Sequence, residues 1–123
     1  MRYQIAFDVK QKIDKLINQL KMNHINKKRI FCIRSFDVKT SATARIWGIS
    51  KLFTEVAGVE PCYIIEVNAK RFDKLSPRDK IKTLIHELLH IPKTFSGALL
   101  PHRGRYHRIN DKVIENILKK TKI

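Results

Sequence analysis

The stretch from Ser76 to Pro92 constrains the fold more tightly than any other part of the chain. Ser76 can accept hydrogen bonds from the first unpaired amides of a helix, and Pro77 suits the first helical position. The Asp79 carboxylate favours the positive helix end. Ile81, Leu84, Ile85 and Leu88 recur at helical spacing as a buried stripe, and Pro92 predicts a stop after Ile91. Inside this helix lies His86-Glu87-Leu88-Leu89-His90. Residues i and i+4 share one helix face, so both imidazoles can reach one metal ion. Glu87 projects beside them, placed to deprotonate a metal-bound water without ligating the metal. A shuffled chain of this composition would contain the pattern roughly one time in a hundred, even before it had to fall on a helix, so chance explains it poorly. Two purely structural histidines would leave Glu87 buried and unpaired, which is costly.

A catalytic zinc needs a third protein ligand and an open position. The candidates downstream are His102, His107, Asp111 and Glu115. The metzincin pattern is excluded, because Lys93 and Ser96 stand where it requires Gly and His. His102, at the end of a loop with Pro92, Gly97 and Pro101, is the first choice and gives a three-histidine site. Glu115, in the last helix, and His107 remain as alternatives. Whichever acid is not a ligand has an ordinary role in orienting a ligand imidazole.

The rest of the chain supplies a scaffold. Residues 8–22 predict an amphipathic helix with Ile13, Leu16, Ile17 and Leu20 on one side and Asp8 as its cap. Arg29–Phe36 and Cys62–Asn68 read as strands. Thr43–Ile49 reads as a third strand, with a helical turn over Lys51–Ala57. Tyr63–Asn68 is taken as the sheet edge beside the site, able to hold an extended peptide by strand addition. A final helix is expected from Tyr106 to Lys120. Helix, two or three strands, helix, loop and helix make an α+β fold in a single domain over residues 1–123.

The 26 lysines and arginines exceed the 11 acidic residues, giving a net charge of +15. Such a chain is attracted to polyanions, and association with nucleic acid is expected to be weak and non-specific, since no base-reading motif accompanies the charge. Short basic clusters occur at Lys27-Lys28-Arg29, at Arg103, Arg105 and Arg108, and at Lys119, Lys120 and Lys122. The arginines around His102 read equally as a solvated loop face or as a basic rim that recruits an acidic or nucleic-acid-bound substrate. Trp47 is expected to fill the core and His24 to sit on the surface. No apolar run exceeds four residues, which excludes a membrane span and an export signal. Cys32 and Cys62, both in apolar runs, read as reduced thiols of a cytoplasmic protein, with a bridge between neighbouring strands as the alternative in a hyperthermophile.

The run Ile85-His-Glu-Leu-Leu-His90-Ile-Pro, followed by Phe95-Ser-Gly and Leu100-Pro-His102, resembles the archaeal and phage-type metallopeptidases, small relatives of the SprT-like minimal zincins. In that group the third ligand is a histidine with an aromatic residue four positions later, a spacing met by His102 and Tyr106. The run Tyr63-Ile-Ile-Glu-Val-Asn68 is similar to the strand that precedes the zinc helix there. The resemblance implies a zincin-like fold, a bound Zn2+ held by His86, His90 and His102, and hydrolysis of a protein or peptide substrate with Glu87 as general base. The competing expectation is a non-catalytic metal-binding module that docks on nucleic acid through its basic surface.

Overall fold

A computed structural model describes residues 2–105 and 107–122. The elements in chain order are β1 (Arg2–Ile5), α1 (Phe7–Gln19), β2 (Ile30–Phe36), β3 (Ala44–Trp47), α2 (Lys51–Val56), β4 (Tyr63–Asn68), α3 (Ala69–Phe72), α4 (Pro77–Leu88) and α5 (Asp111–Thr121). A turn of 3-10 helix, Lys27–Arg29, precedes β2. The fold is α+β, as the order of elements in the sequence implies. The sheet runs β1-β2-β4-β3, with β2 and β4 parallel and the outer strands antiparallel to their neighbours. Among the described residues no helix is long and apolar enough to cross a membrane.

One side of the sheet forms the core. Ile30 and Cys32 of β2 and Tyr63, Ile65 and Val67 of β4 pack with Ile13, Leu16 and Ile17 of α1 and Leu84, Ile85 and Leu88 of α4. Leu84, Ile85 and Leu88 are fully buried, so the helix that carries the His-Glu pair is seated by its apolar stripe. Truncating any one of them to Ala is expected to cost about 2–5 kcal/mol. Ser76 caps α4 by accepting the Asp79 amide at 3.1 Å, with Pro77 in the first turn.

Several boundaries differ from the sequence reading for definable reasons. β1 was not anticipated; its four residues are all exposed on a sheet edge, too short and too open to produce an apolar signal. α1 starts at Phe7 with Ala6 at its cap position, because Asp8 is engaged by Arg34 of β2 at 2.9 Å instead of capping. α4 ends at Leu88 rather than Ile91, and the chain leaves it through a tight turn in which the His90 amide donates to the Glu87 carbonyl at 3.1 Å. α5 starts only at Asp111, where the Asn110 side chain accepts from the Val113 amide at 3.0 Å, and Tyr106 lies outside the described residues. The expected edge, Tyr63–Asn68, is central: β4 is paired on both sides, and β3 is the edge beside α4. Glu66 and Asn68 mimic a solvent-facing alternation, yet both are buried. Trp47 is half-exposed at the end of that edge strand, not in the core. Cys32 and Cys62 are free thiols.

Arg34 fastens three elements. Its guanidinium makes paired hydrogen bonds to the Asp8 carboxylate of α1 at 2.9 and 3.0 Å and also bonds Asp73, just after α3, at 2.9 Å. The guanidinium holds the Asp8 carboxyl down at about 2. A carboxyl whose pKa falls on folding stabilises the protein above its unfolded value and loses that contribution as pH drops through its folded value. The loss therefore spans the interval from about 4 down to about 2. Asp8 is largely solvent-exposed, so screening keeps the contribution modest. Asp8→Asn should lower the melting temperature at pH 7 by about 3 °C and by much less at pH 2, where the folded-state carboxyl is half protonated. Equal losses at both pH values in calorimetry would show that Asp8 acts through packing rather than charge.

Candidate metal centre

The end of α4 and the loop after it converge on one point. His86 lies on the last turn of α4 and His90 in the tight turn beyond it, with ring centroids 5.3 Å apart. The loop over residues 92–102 brings His102 to them, its ring 5.0 Å from His86 and 4.6 Å from His90. The Nε2 atoms of His86 and His102 face each other at 3.0 Å. One nitrogen from each of the three rings can be chosen so that all lie within 4.8 Å of one another. Imidazole nitrogens around a tetrahedral zinc stand about 3.4 Å apart, so small side-chain shifts let this triad hold one ion. The donor chemistry fits as well. The Nδ1–H of His90 donates to the Leu100 carbonyl at 2.5 Å, which leaves the Nε2 lone pair for a metal.

The loop that carries His102 is held at several points. Tyr63, buried in β4, accepts the Gly97 amide through its hydroxyl and donates to the Ala98 carbonyl, both at 2.8 Å. The Gly97 carbonyl takes the Ile49 amide at 2.9 Å, with Gly97 in the left-handed region at φ +94°. A Cβ at Gly48 would lie 2.1 Å from that same carbonyl oxygen, so only glycine permits the approach. The Leu100 amide bonds the His90 carbonyl and the Ile109 amide bonds the His102 carbonyl, each at 2.8 Å.

Burial sets the protonation states. It is the largest influence lowering the His86 pKa to about 4, with the positive charges that His90 and His102 would carry adding to it. His90 is lowered in the same way, mainly by burial. Neutral imidazoles with free lone pairs are the ligand form. Burial pushes the Glu87 carboxyl up to about 7. Glu87, with His86, lines an open cleft of about 530 Å³ between α4, β3 and the loop, together with Ala44, Ile46 and His90.

The structure brings together His86, Glu87, His90 and His102 and leaves the other candidates elsewhere. Glu115 is bound to Arg78 at 2.7 Å and Lys82 at 2.8 Å, and Asp111 to Lys82 at 2.6 Å. The His107 Nε2–H donates to the Pro101 carbonyl at 2.8 Å, supporting the loop rather than joining the triad. Arg108 donates to the Gly104 and His107 carbonyls, so this arginine braces the loop beside His102. Two contributors were missed by the sequence reading. The Leu100 carbonyl has no side-chain signal, and Tyr63 reads as an ordinary core aromatic until its hydroxyl is seen to bridge two loop residues.

Over residues 1–119 the chain matches the family model described as "Putative phage metallopeptidase". No curated protein and no solved structure matches it. That description names a metallopeptidase, and the chain carries a three-histidine cluster that can hold an ion. The match spans nearly the whole sequence, from before β1 into the last turn of α5 and including the three histidines and Glu87, and the chain belongs to this "Putative phage metallopeptidase" family.

Proposed function

We propose that the protein is a zinc-dependent peptidase of the zincin type, with His86, His90 and His102 as metal ligands and Glu87 as general base. The observation that carries this reading is the convergence of three imidazoles, two of them held neutral by burial, beside a buried carboxyl whose pKa has risen to about 7. Three imidazole donors suit zinc, and no cysteine lies near enough to close the site as a structural one would be. Zinc, when bound, supplies Lewis acidity that polarises the scissile carbonyl and acidifies water.

The chain's own groups do the rest. Glu87 takes a proton from the attacking water and delivers it to the departing amine, a task suited to a carboxyl with a pKa near neutrality. The Leu100 carbonyl keeps His90 in one tautomer and one orientation. The substrate backbone lies along β3, the edge strand whose Ala44, Arg45 and Ile46 line the cleft with His86, Glu87 and His90. This assigns to β3 the strand-addition role first expected of Tyr63–Asn68.

Metal analysis of the purified chain should give one zinc per molecule. His86→Ala and His102→Ala should each weaken zinc binding at least about 100-fold, since a three-ligand site loses a full donor. Glu115→Ala should leave zinc affinity unchanged and lower thermal stability only slightly, because it removes the partner of Arg78 and Lys82. Loss of zinc in Glu115→Ala with retention in His102→Ala would reverse the ligand assignment.

Glu87→Gln keeps the shape of the site and removes its base. It should retain zinc and slow cleavage in a peptide-library screen by about 100- to 10,000-fold. Wild-type activity in that variant would sink the general-base role, and loss of zinc would make Glu87 a ligand instead.

A further inference from the structure

Side chains directly opposite on neighbouring strands share a sheet face. Ile30, Cys32, Tyr63, Ile65 and Val67 face the helices and the metal centre. The alternate residues form the other face. Trp47 of β3 pairs with Ile64 of β4, and Ile64 with Phe31 of β2, so these three make one row across the sheet. Further along, Ile5 of β1 lies opposite Ile33, and Tyr3 opposite Ser35. This face is open: Tyr3 is 58% exposed, Trp47 46%, Phe31 44% and Ile64 37%. Isolated apolar residues on a surface are ordinary, but a contiguous row with two aromatics, and a third further along the same face, marks an interaction site.

Trp47 is held in place from below. Its indole N–H donates to Glu66 Oε1 at 2.9 Å, and the buried Glu66 also accepts from Arg45 at 2.9 Å and Ser35 at 2.7 Å. The Arg45 guanidinium sits 4.9 Å from the indole centroid. A half-exposed ring fixed by a buried carboxylate has little freedom left to lose on stacking. The same end of the sheet is basic. Lys27-Lys28-Arg29 leads directly into β2 beside Phe31, and Lys51 follows β3 just beyond Trp47. Lys51 pairs with Glu55 at 3.5 Å with both side chains largely exposed, and such a pair exchanges readily for phosphate, while Arg29 is tied to the Glu60 and Pro61 carbonyls.

From this juxtaposition of aromatic row and cations we infer that the face turned away from the metal centre is a stacking platform for a single strand of nucleic acid. Charge decides between occupants. A second copy would set two Lys27–Arg29 segments, each from a chain of net charge +15, near one another. A single-stranded polynucleotide meets both demands, with bases on the rings and phosphates on the cations. A duplex hides its base faces and cannot. Trp47 and Phe31 stand two strands apart, about 10 Å, so they take bases that are not adjacent. None of these contacts reads a base edge or a 2′-hydroxyl, so DNA and RNA strands should bind alike without sequence preference. The strand would lie across the sheet from His86, leaving the cleft clear. The inference therefore stands independently of the peptidase reading.

Trp47 is the sole tryptophan, so its fluorescence reports on this face directly. Oligothymidylate, oligouridylate and a duplex of matched length are titrated into the zinc-loaded full chain at low salt, with labelled-strand anisotropy for the variants. Both single strands should quench the indole and bind about tenfold more tightly than the duplex. Phe31→Ala and Trp47→Ala should each weaken binding about tenfold, and Trp47→Phe should restore most of it. Joint Lys28→Ala and Lys51→Ala should flatten the salt slope by about 1.4. Binding without quenching, equal binding of duplex, or unchanged affinity in both aromatic variants would overturn the inference. So would sedimentation showing a dimer in which Trp47 is shielded from acrylamide.

Discussion

The three-histidine cluster depends on the Tyr63 hydroxyl. The ring is buried in the central strand β4 and packs edge-on against Phe95 with centroids 5.1 Å apart, while its oxygen bridges the Gly97 amide and the Ala98 carbonyl. A loop that delivers a metal ligand must be ordered before the ion arrives, or metal affinity is reduced by the cost of ordering it. Here one side chain ties the loop to a central strand of the sheet, paired on both sides. The close approach of Gly48 to the Gly97 carbonyl adds a second tie from the end of β3. His86 and His90 come with their helix and its turn; His102 arrives only because the intervening residues are pinned.

Two buried glutamates show how surroundings divide structure from chemistry. Burial alone would raise the pKa of Glu66, but hydrogen bonds from Arg45, Ser35 and Trp47 outweigh it and hold the carboxyl below its usual range. That carboxylate stays charged at neutral pH and serves as a joint between three strands. Burial of Glu87 meets no such compensation, and its pKa rises to about 7. A carboxyl in that condition exchanges protons near neutrality, and a fully satisfied one does not.

The parts of the site written in local sequence were legible, and those made by tertiary contact were not. The cap at Ser76, the stripe of Leu84, Ile85 and Leu88, and the i, i+4 histidines all follow from the helical period, and the structure holds each of them. The choice among His102, His107 and Glu115 depended on where a loop and a distant helix land, which no spacing rule supplies. The structure groups His102 with the helix pair, while Glu115 is held by Arg78 and Lys82. Edge and centre were exchanged for a related reason. A buried polar network beneath β4 looks, in one dimension, like the solvent side of an edge strand. β1 escaped notice because an exposed four-residue edge carries almost no apolar contrast.

The charge distribution gives the last step. Among the described residues nine of the eleven acidic side chains sit in ion pairs, and the exceptions are Asp79 and Glu87. The carboxylates therefore act mostly to tie elements together, as Asp8 and Asp73 do through Arg34 and as Asp111 and Glu115 do through Lys82. With 26 basic residues against those 11, most of the excess remains on the surface, where self-repulsion opposes the compact state. A folded chain that carries such repulsion gains stability by binding a polyanion, since any ligand that prefers the native state shifts the equilibrium toward it. A polyanion of the kind proposed above would have a side of the sheet to itself. One face packs the helix that holds His86 and Glu87 and leads into the His90 turn, and the other presents Trp47, Phe31 and Tyr3, so binding on one side need not obstruct the cleft on the other.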